Sequence, residues 1–202
     1  MQNYKPTNVR LMTSCAIAGT ISFVLMFLEL SLPIAPAFIK LDFSDIPSLV
    51  MAFSLGPFAG VLTELVKNLL HLLKTSTAGV GELSNFLLGC AFVIPAGWIY
   101  RKHRTRNGAL LAMLIGTVSF SVFGAFSNLF IMFPFYTKVV GMPMEAIVEM
   151  CRKVLPVVDS LPKVILLSVT PFNLLKGILI SLVTFLLYKR ISPLIRGNKK
   201  GV

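Results

Sequence analysis

The sequence contains few charged residues. Only 13% of its 202 residues are Asp, Glu, Lys or Arg, compared with about 25% in soluble globular domains. Hydrophobic residues make up 55%, which excludes a disordered chain because disordered chains are poor in apolar side chains. Together with a mean hydropathy of +0.83, the shortage of charge predicts a small integral membrane protein.

Cysteine and catalytic motifs are also scarce. Cys15 and Cys90 lie in apolar runs and Cys151 stands alone, so no C-x-x-C pair or disulfide framework is available. Neither His71 nor His103 has a second His four residues away or a neighbouring Cys, as a zinc site requires. The chain also lacks G-x-S-x-G, H-E-x-x-H and Walker A sequences. These absences argue against a metal site, a hydrolase and a self-contained ATPase.

Apolar runs predict six membrane-spanning helices in one domain that covers residues 1–202. Two helices are short, because Gly56-Pro57 interrupts an apolar stretch and leaves arms at or below the ~20 residues that cross a bilayer. Pro33 and Pro36 end the first helix, and Pro134 ends the fifth. The predicted helices span residues 11–32, 46–55, 57–73, 82–100, 108–133 and 166–188.

Two longer connections join these helices. A connector after the first helix carries Lys40, Asp42 and Asp45. A soluble insert at 134–165 separates the fifth and sixth helices, and Met144 to Leu155 can form a short amphipathic helix there. The predicted fold class is therefore an all-α membrane protein with an extracellular connector and an extracellular insert.

The basic residues predict the orientation. With six crossings, both termini lie on one side, and that side receives 11 basic residues and no acidic one. The positive-inside rule makes this side cytoplasmic. The net charge of +11 is thus explained by a multi-pass topology and by contact of the basic residues with lipid headgroups. The basic flanks lack interleaved aromatic residues, which argues against nucleic-acid binding. The 11 residues are Lys5, Arg10, Arg101, Lys102, Arg104, Arg106, Lys189, Arg190, Arg196, Lys199 and Lys200.

Polar side chains within the apolar runs mark a candidate site, because such groups are costly in a bilayer. Three amides and one ammonium lie within about 15 Å of the outer helix ends, at ~1.5 Å per residue. We expect a pocket for a flat, mostly apolar molecule with a polar edge. Hydrogen bonds between helices without a ligand are the alternative, and Lys176 could form an ion pair with Glu82 or Glu64. The four residues are Asn85, Asn128, Asn173 and Lys176.

The third helix carries a polar stripe. Glu64, Lys67, Asn68 and His71 are spaced i, i+3, i+4 and i+7, so they share one helix face. The stripe could conduct protons or ions, or supply the catalytic pair of a membrane enzyme. We favour a satisfied stripe in which Glu64 and Lys67 pair with each other.

Small residues recur on the first helix. Ser14, Ala18 and Ser22 follow one another every four residues, and Cys15 and Gly19 show the same spacing. Small residues at this period let a second helix approach closely. The stripe serves internal packing or forms a docking face for a partner.

Several motifs along the chain, taken together, have a distinctive order. They are Leu41-Asp42-Phe43-Ser44-Asp45-Ile46-Pro47, Leu55-Gly56-Pro57, Lys67-Asn68-Leu69-Leu70-His71-Leu72-Leu73, Gly81-Glu82-Leu83-Ser84-Asn85-Phe86, Asn128 and Pro171-Phe172-Asn173-Leu174-Leu175-Lys176-Gly177. Over about residues 11–190, this set resembles the riboflavin-specific S components, RibU type, of energy-coupling factor (ECF) transporters.

The resemblance implies a function in vitamin uptake. Such a protein captures riboflavin with high affinity outside the bacterial cell membrane and releases it inside. It works with a transmembrane coupling subunit, the T component, and two cytoplasmic ATPases. The resemblance implies no resident cofactor, since riboflavin is the transported ligand and the partners use the ATP.

The resemblance also assigns site residues. On matching positions the ligand-binding set is Glu82, Asn85, Asn128, Asn173 and Lys176, with Leu41, Asp42 and Phe43 in the connector and Phe172 beside the flavin rings. Partner docking falls on Ser14, Ala18 and Ser22, where the family often has Ala-x-x-x-Ala. An S component for another vitamin, such as thiamine, and a small polytopic membrane enzyme are the alternative functions.

Overall fold

A computed structural model of the chain describes residues 8–32, 36 and 39–196, with side chains up to residue 191. Lys5, Pro33, Lys199 and Lys200 lie outside the described residues, as does the side chain of Arg196. Within the described part the fold is helical, as predicted. The helices are α1 (Asn8–Met26), α2 (Asp45–Leu55), α3 (Pro57–His71), α4 (Val80–Lys102), α5 (Arg106–Lys138), α6 (Met144–Arg152) and α7, which comprises Leu161–Val164, Ile165–Val169 and Thr170–Arg196.

Four of these helices are long and apolar enough to cross a membrane: α1, α4, α5 and α7. The short helices α2 and α3 have 11 and 15 residues. The predicted break between them is confirmed. Gly56 adopts φ +111°, a conformation that glycine reaches without the steric cost of a Cβ, and Pro57 occupies the first turn of α3.

The first predicted helix was too long. α1 ends at Met26 rather than at residue 32, because the chain then turns extended and pairs with the connector. The amide nitrogen of Leu30 lies 2.7 Å from the carbonyl oxygen of Leu41, and the reciprocal distance is 2.9 Å. This antiparallel bridge gives hydrogen-bond partners to backbone groups that would otherwise need a longer helix. It also fixes the connector against the end of α1.

The sequence predicted that the fifth helix ends at Pro134, but the structure shows that it does not. α5 continues to Lys138 through a π-helical turn at Asn128–Met132. In this turn the N–H of Phe133 donates to the carbonyl of Asn128, five residues earlier. The wider turn accommodates the proline, whose ring would clash with the carbonyl four residues earlier in a regular helix.

The soluble insert is shorter than predicted. α7 begins at Leu161 instead of residue 166, with Pro162 in its first turn, where the missing N–H costs nothing. Residues 139–160 remain between α5 and α7, and they contain the amphipathic helix α6. This helix ends at Arg152 rather than Leu155. Its buried Ile147 and Cys151 pack with Phe133, Val158 and Val164.

The main core lies between α2, α4, α5 and α7. It is built from Phe92, Val93, Ala96, Phe120, Ile180 and their neighbours. Glycines let the helices approach closely. On α1, a Cβ at Gly19 would lie 2.6 Å from Cβ of Val66 on α3. This packing holds α3, α5 and α7 around the connector, where the candidate site residues lie.

Candidate functional site

A buried ion pair joins α7 to the connector. Nζ of Lys176 lies 2.7 Å from Oδ2 of Asp42 and 3.6 Å from Oδ2 of Asp45. Lys176 is 7% exposed and Asp42 8%. The predicted partners of Lys176, Glu82 or Glu64, were wrong. The connector, held by its bridge to the end of α1, folds back over α7 and brings its own carboxylates to the ammonium.

The surroundings of Asp42 keep its carboxylate ionised. The backbone N–H and the hydroxyl of Ser44 donate to Oδ1 of Asp42, with distances of 2.9 Å and 2.5 Å. Burial alone would raise the pKa of Asp42. The nearby ammonium groups of Lys176 and Lys67 and the Ser44 hydroxyl outweigh burial and lower that pKa to about 2. Asp42 is therefore a fixed negative charge facing α7 at physiological pH.

An apolar cluster covers the same region. Leu41 of the connector and Phe172 of α7 are 4% and 6% exposed and pack together. Phe43 and Leu179 complete the contact. The structure thus brings the predicted connector residues against the predicted residues of α7.

The two asparagines of α5 and α7 meet at a glycine. Nδ2 of Asn128 donates to the carbonyl oxygen of Gly124, at 2.9 Å. Nδ2 of Asn173 lies 2.1 Å from the position that a Cβ on Gly124 would occupy. Asn173 is 8% exposed and makes no side-chain hydrogen bond to another described residue. One turn away, the Lys176 ammonium lies 5.9 Å from the ring centroid of Phe120. Asn173 and Lys176 therefore face α5, and Asn128 lies one turn after Gly124 on that helix.

Glu82 has a different environment. Its Oε1 lies 2.9 Å from Nδ1 of His71, and its Oε2 accepts from the hydroxyls of Thr75 and Thr77 at 2.9 Å and 3.2 Å. Glu82 therefore fastens the turn between α3 and α4. Asn85 lies one turn further along α4, and among the described residues its amide donates to Sδ of Met26 alone, at 3.8 Å.

The polar stripe of α3 faces inward and has partners. Nζ of Lys67 lies 2.6 Å from Oε2 of Glu64, as predicted, and 2.5 Å from Oδ1 of Asp45. Nδ2 of Asn68 donates to the carbonyl oxygen of Glu64 at 2.9 Å. Among the described residues, no three His, Cys, Asp or Glu side chains are arranged to hold a metal ion. The contact to Asp45 was missed at the sequence level, although an acidic residue at the start of an apolar helix is itself a signal.

The small-residue stripe of α1 packs largely inside the chain. Ser22 is fully buried and Ala18 is 9% exposed, whereas Ser14 is half-buried. Ser14 lines an apolar groove of about 460 Å³ that α1 forms with α2 and α7. Partner docking at these three residues stays a prediction.

The comparisons with known proteins identify the family. The family model for the ECF transporter, substrate-specific component, matches residues 10–188. The chain belongs to the ECF transporter S components. This S component is similar to a solved structure of the S component of a bacterial ECF transporter, with a TM-score of 0.73 and 30% identity, covering 95% of this chain and all of that one.

Two curated relatives are similar over nearly their whole length. The riboflavin transporter RibU of Staphylococcus aureus (strain TCH60) is 33% identical over 189 residues, which cover 94% of this S component and 93% of that protein. The riboflavin transporter FmnP of Bacillus subtilis (strain 168) is 30% identical over 196 residues, with coverages of 96% and 97%. The family consists of transporter components, so this S component is not an enzyme.

Proposed function

We propose that this S component binds riboflavin with high affinity at the outer face of a bacterial membrane and delivers it to the cytoplasm. The observation that carries the proposal is the 33% identity, over 94% of the chain, to a protein named as a riboflavin transporter. The second relative bears the same functional name. The alternatives, thiamine or another vitamin, have no comparable support.

The α5–α7 interface forms the flavin site in this proposal. The uracil-like edge of an isoalloxazine presents carbonyl acceptors and an N–H donor, and the amides of Asn128 and Asn173 can both donate and accept. The ammonium of Lys176 has three donors. Two of them face Asp42 and Asp45, so one is left for a ligand carbonyl.

Apolar side chains cover the rings in the same arrangement. Phe172 and the connector residues Leu41 and Phe43 already pack together, and aromatic rings stack favourably in offset or edge-to-face geometry. The connector lies over this cluster and closes the site once the vitamin is bound. Opening of the connector is therefore the step that admits riboflavin.

Glu82 and Asn85 serve the ribityl hydroxyls in this proposal. The amide of Asn85 has only a weak sulfur acceptor in Met26, so it is free to turn to a hydroxyl. Glu82 already accepts from Thr75 and Thr77 and would exchange one of these bonds for a ligand hydroxyl.

The partners and the topology complete the proposal. Six crossings place both termini in the cytoplasm, where the basic flanks face the anionic leaflet. A T component docks along α1 at the groove lined by Ser14 and Ala18, next to the buried Ser22. Two cytoplasmic ATPases supply the energy that turns the loaded pocket inward. The S component itself contributes ligand binding only.

Titration of the purified protein with riboflavin tests the function. We expect quenching of flavin fluorescence at about 1:1, without displacement by thiamine. Binding of thiamine in place of riboflavin would contradict the proposal. The site is tested separately with an Asn128→Ala, Lys176→Ala double variant, whose affinity should fall sharply. Wild-type affinity in that variant would overturn the site and leave the function standing.

A further inference from the structure

Five side chains form a closed ring of polar contacts above α3. Two distances in the ring involve Asp42, whose Oδ2 lies 2.7 Å from Nζ of Lys176 and whose Oδ1 accepts from the Ser44 hydroxyl at 2.5 Å. The Ser44 hydroxyl lies 3.4 Å from Nζ of Lys67, which contacts Oδ1 of Asp45 at 2.5 Å. Oδ2 of Asp45 closes the ring at 3.6 Å from Nζ of Lys176. We call this set the Asp–Lys ring.

The Asp–Lys ring is buried and electrically neutral. Its members are between 0% and 8% exposed, and its two carboxylates balance its two ammonium groups. Buried charges without partners are costly in a low-dielectric interior. The members come from the connector, α2, α3 and α7, so the ring ties those parts of the chain together through a few strong contacts.

The ammonium of Lys67 touches both Ser44 and Asp45. Its side chain is fully buried and held by Glu64 at 2.6 Å, one turn earlier on α3. Lys67 thus offers a rigid positive charge that draws Asp45 towards α3. Asp45 in turn lies only 3.6 Å from Lys176, so the two lysines share its carboxylate.

We propose that Lys67 positions Lys176 for riboflavin binding and that it acts through Asp45. This inference rests on the proposed function. Without the Lys67 charge, the Asp45 carboxylate is left with Lys176 as its cation and competes with Asp42 for it. The ammonium then shifts towards α2, the Asp42 contact weakens, and the connector loses its main attachment to α7. Lys67 is a positioning residue in this account, since it touches no ligand.

A second substitution should partly restore the binding that Lys67→Met loses. Lys67→Met leaves Asp45 with Lys176 alone and removes the partner of Glu64, and Asp45→Asn removes the carboxylate that causes the shift. Asp45→Asn alone opens the ring but leaves the Asp42–Lys176 pair balanced. Lys67→Met combined with Asp45→Asn should therefore bind riboflavin better than Lys67→Met alone. Lys67 and Asp45 are in contact, so their effects on stability are coupled in any case. A role for Lys67 in stability alone therefore predicts that the double variant regains melting temperature without regaining affinity.

The experiment measures riboflavin affinity, dissociation rate and melting temperature of the purified full-length variants. We expect about a 10-fold loss of affinity for Lys67→Met, mostly as faster dissociation, about 3-fold for Asp45→Asn, and an intermediate loss for the double variant, in which Glu64 still lacks its lysine. Lys163→Met is the matched control, because Lys163 forms an exposed pair with Asp159. This control should bind like the wild type.

Hydrogen–deuterium exchange of residues 39–46 supplies a readout that needs no ligand. Exchange should rise in Lys67→Met and fall back in the double variant. A milder variant, Ser44→Ala, removes the two ring contacts of the Ser44 hydroxyl without removing charge and should raise exchange with little change in melting. It decides the question if Lys67→Met does not fold.

Two results would overturn the positioning role. One is wild-type affinity and exchange in Lys67→Met, or wild-type exchange in Ser44→Ala if the former cannot be purified. The other is a double variant that binds no better than Lys67→Met. Failure of the wild type itself to bind riboflavin would count against the proposed function alone, and exchange of residues 39–46 would then decide the role of Lys67.

Discussion

The amide of Asn173 on α7 lies so close to Gly124 on α5 that a Cβ at residue 124 would overlap its nitrogen. The glycine therefore makes room for a polar group at the centre of the proposed flavin site. The carbonyl oxygen of the same glycine accepts from Asn128. The missing side chain of Gly124 thus sets the position of the Asn173 amide, whereas Asn128 bonds to a backbone oxygen that any residue would supply.

Gly124→Ala should displace Asn173 and weaken riboflavin binding by about 10-fold or more, since a shift near 1 Å breaks a directed hydrogen bond. Fluorescence titration measures the loss. Gly116→Ala is the matched control on the same helix. A Cβ there would lie 2.9 Å from Cδ2 of Phe92, so it should lower the melting temperature and spare the affinity of the folded protein. Equal affinity losses in both variants would contradict a specific role for Gly124.

Asp42→Asn should loosen the connector. The substitution leaves Lys176 with Asp45, at 3.6 Å, as its carboxylate partner, and disruption of a buried pair costs about 3–5 kcal/mol. We expect a lower melting temperature and faster dissociation of riboflavin. If Asp42→Asn melts and releases riboflavin as the wild type does, the ion pair does not hold the connector.

The same residue predicts a pH dependence. Its pKa falls from an ordinary 3.8 to about 2 in the folded protein, so its contribution to stability is present above pH 3.8 and is lost as the pH falls towards 2. Between pH 5 and 8 the difference in melting temperature between wild type and Asp42→Asn should be constant. A difference that shrinks within this range would show that another group controls the pairing.

Glu64→Gln should be tolerated. The buried groups Asp42, Asp45, Glu64, Lys67 and Lys176 sum to −1 when all are ionised, and the substitution brings the sum to 0. Gln has nearly the same shape, so it fits against Gly89, where Glu64 leaves no space for a Cβ. Its amide oxygen still accepts from Lys67. Melting temperature and riboflavin affinity should stay near wild type, and a large loss of either would mean that the Glu64 charge is required.

Variants at Glu82 and His71 separate two roles of the α3–α4 turn. Both Glu82→Ala and His71→Ala remove the 2.9 Å contact between these residues and should lower stability by about 1–3 kcal/mol. Only Glu82→Ala should also weaken riboflavin binding, because Glu82 is the proposed ligand contact. If the two variants lose affinity equally, Glu82 acts through the turn alone.

Local features could be predicted where neighbouring residues decide them. The break at Gly56-Pro57 and the Glu64–Lys67 pair depend on residues adjacent in sequence or one helical turn apart, and both are found. The end of α1 and the continuation of α5 past Pro134 could not be predicted. They depend on a bridge to Leu41 and on a π-helical turn, neither of which alters the apolar pattern.

The candidate site divides in the same way. Motifs led to Asn128, Asn173 and Lys176, and the structure brings Asn173 and Lys176 against α5, with Asn128 one turn from Gly124. The partner of Lys176 could not be read from helix spacing, because Asp42 lies 134 positions away. The role of Asp45 was missed for the same reason.

The sequence by itself determined that this chain enters a membrane, that its short helices break at Gly56-Pro57 and which family it belongs to, because composition, proline and glycine positions and short motifs act locally. Only the tertiary structure decided which charges meet. Two lysines and three carboxylates allow several pairings. The choice among them required the fold of the connector over α7, since buried ions are stable only with partners within a few ångströms.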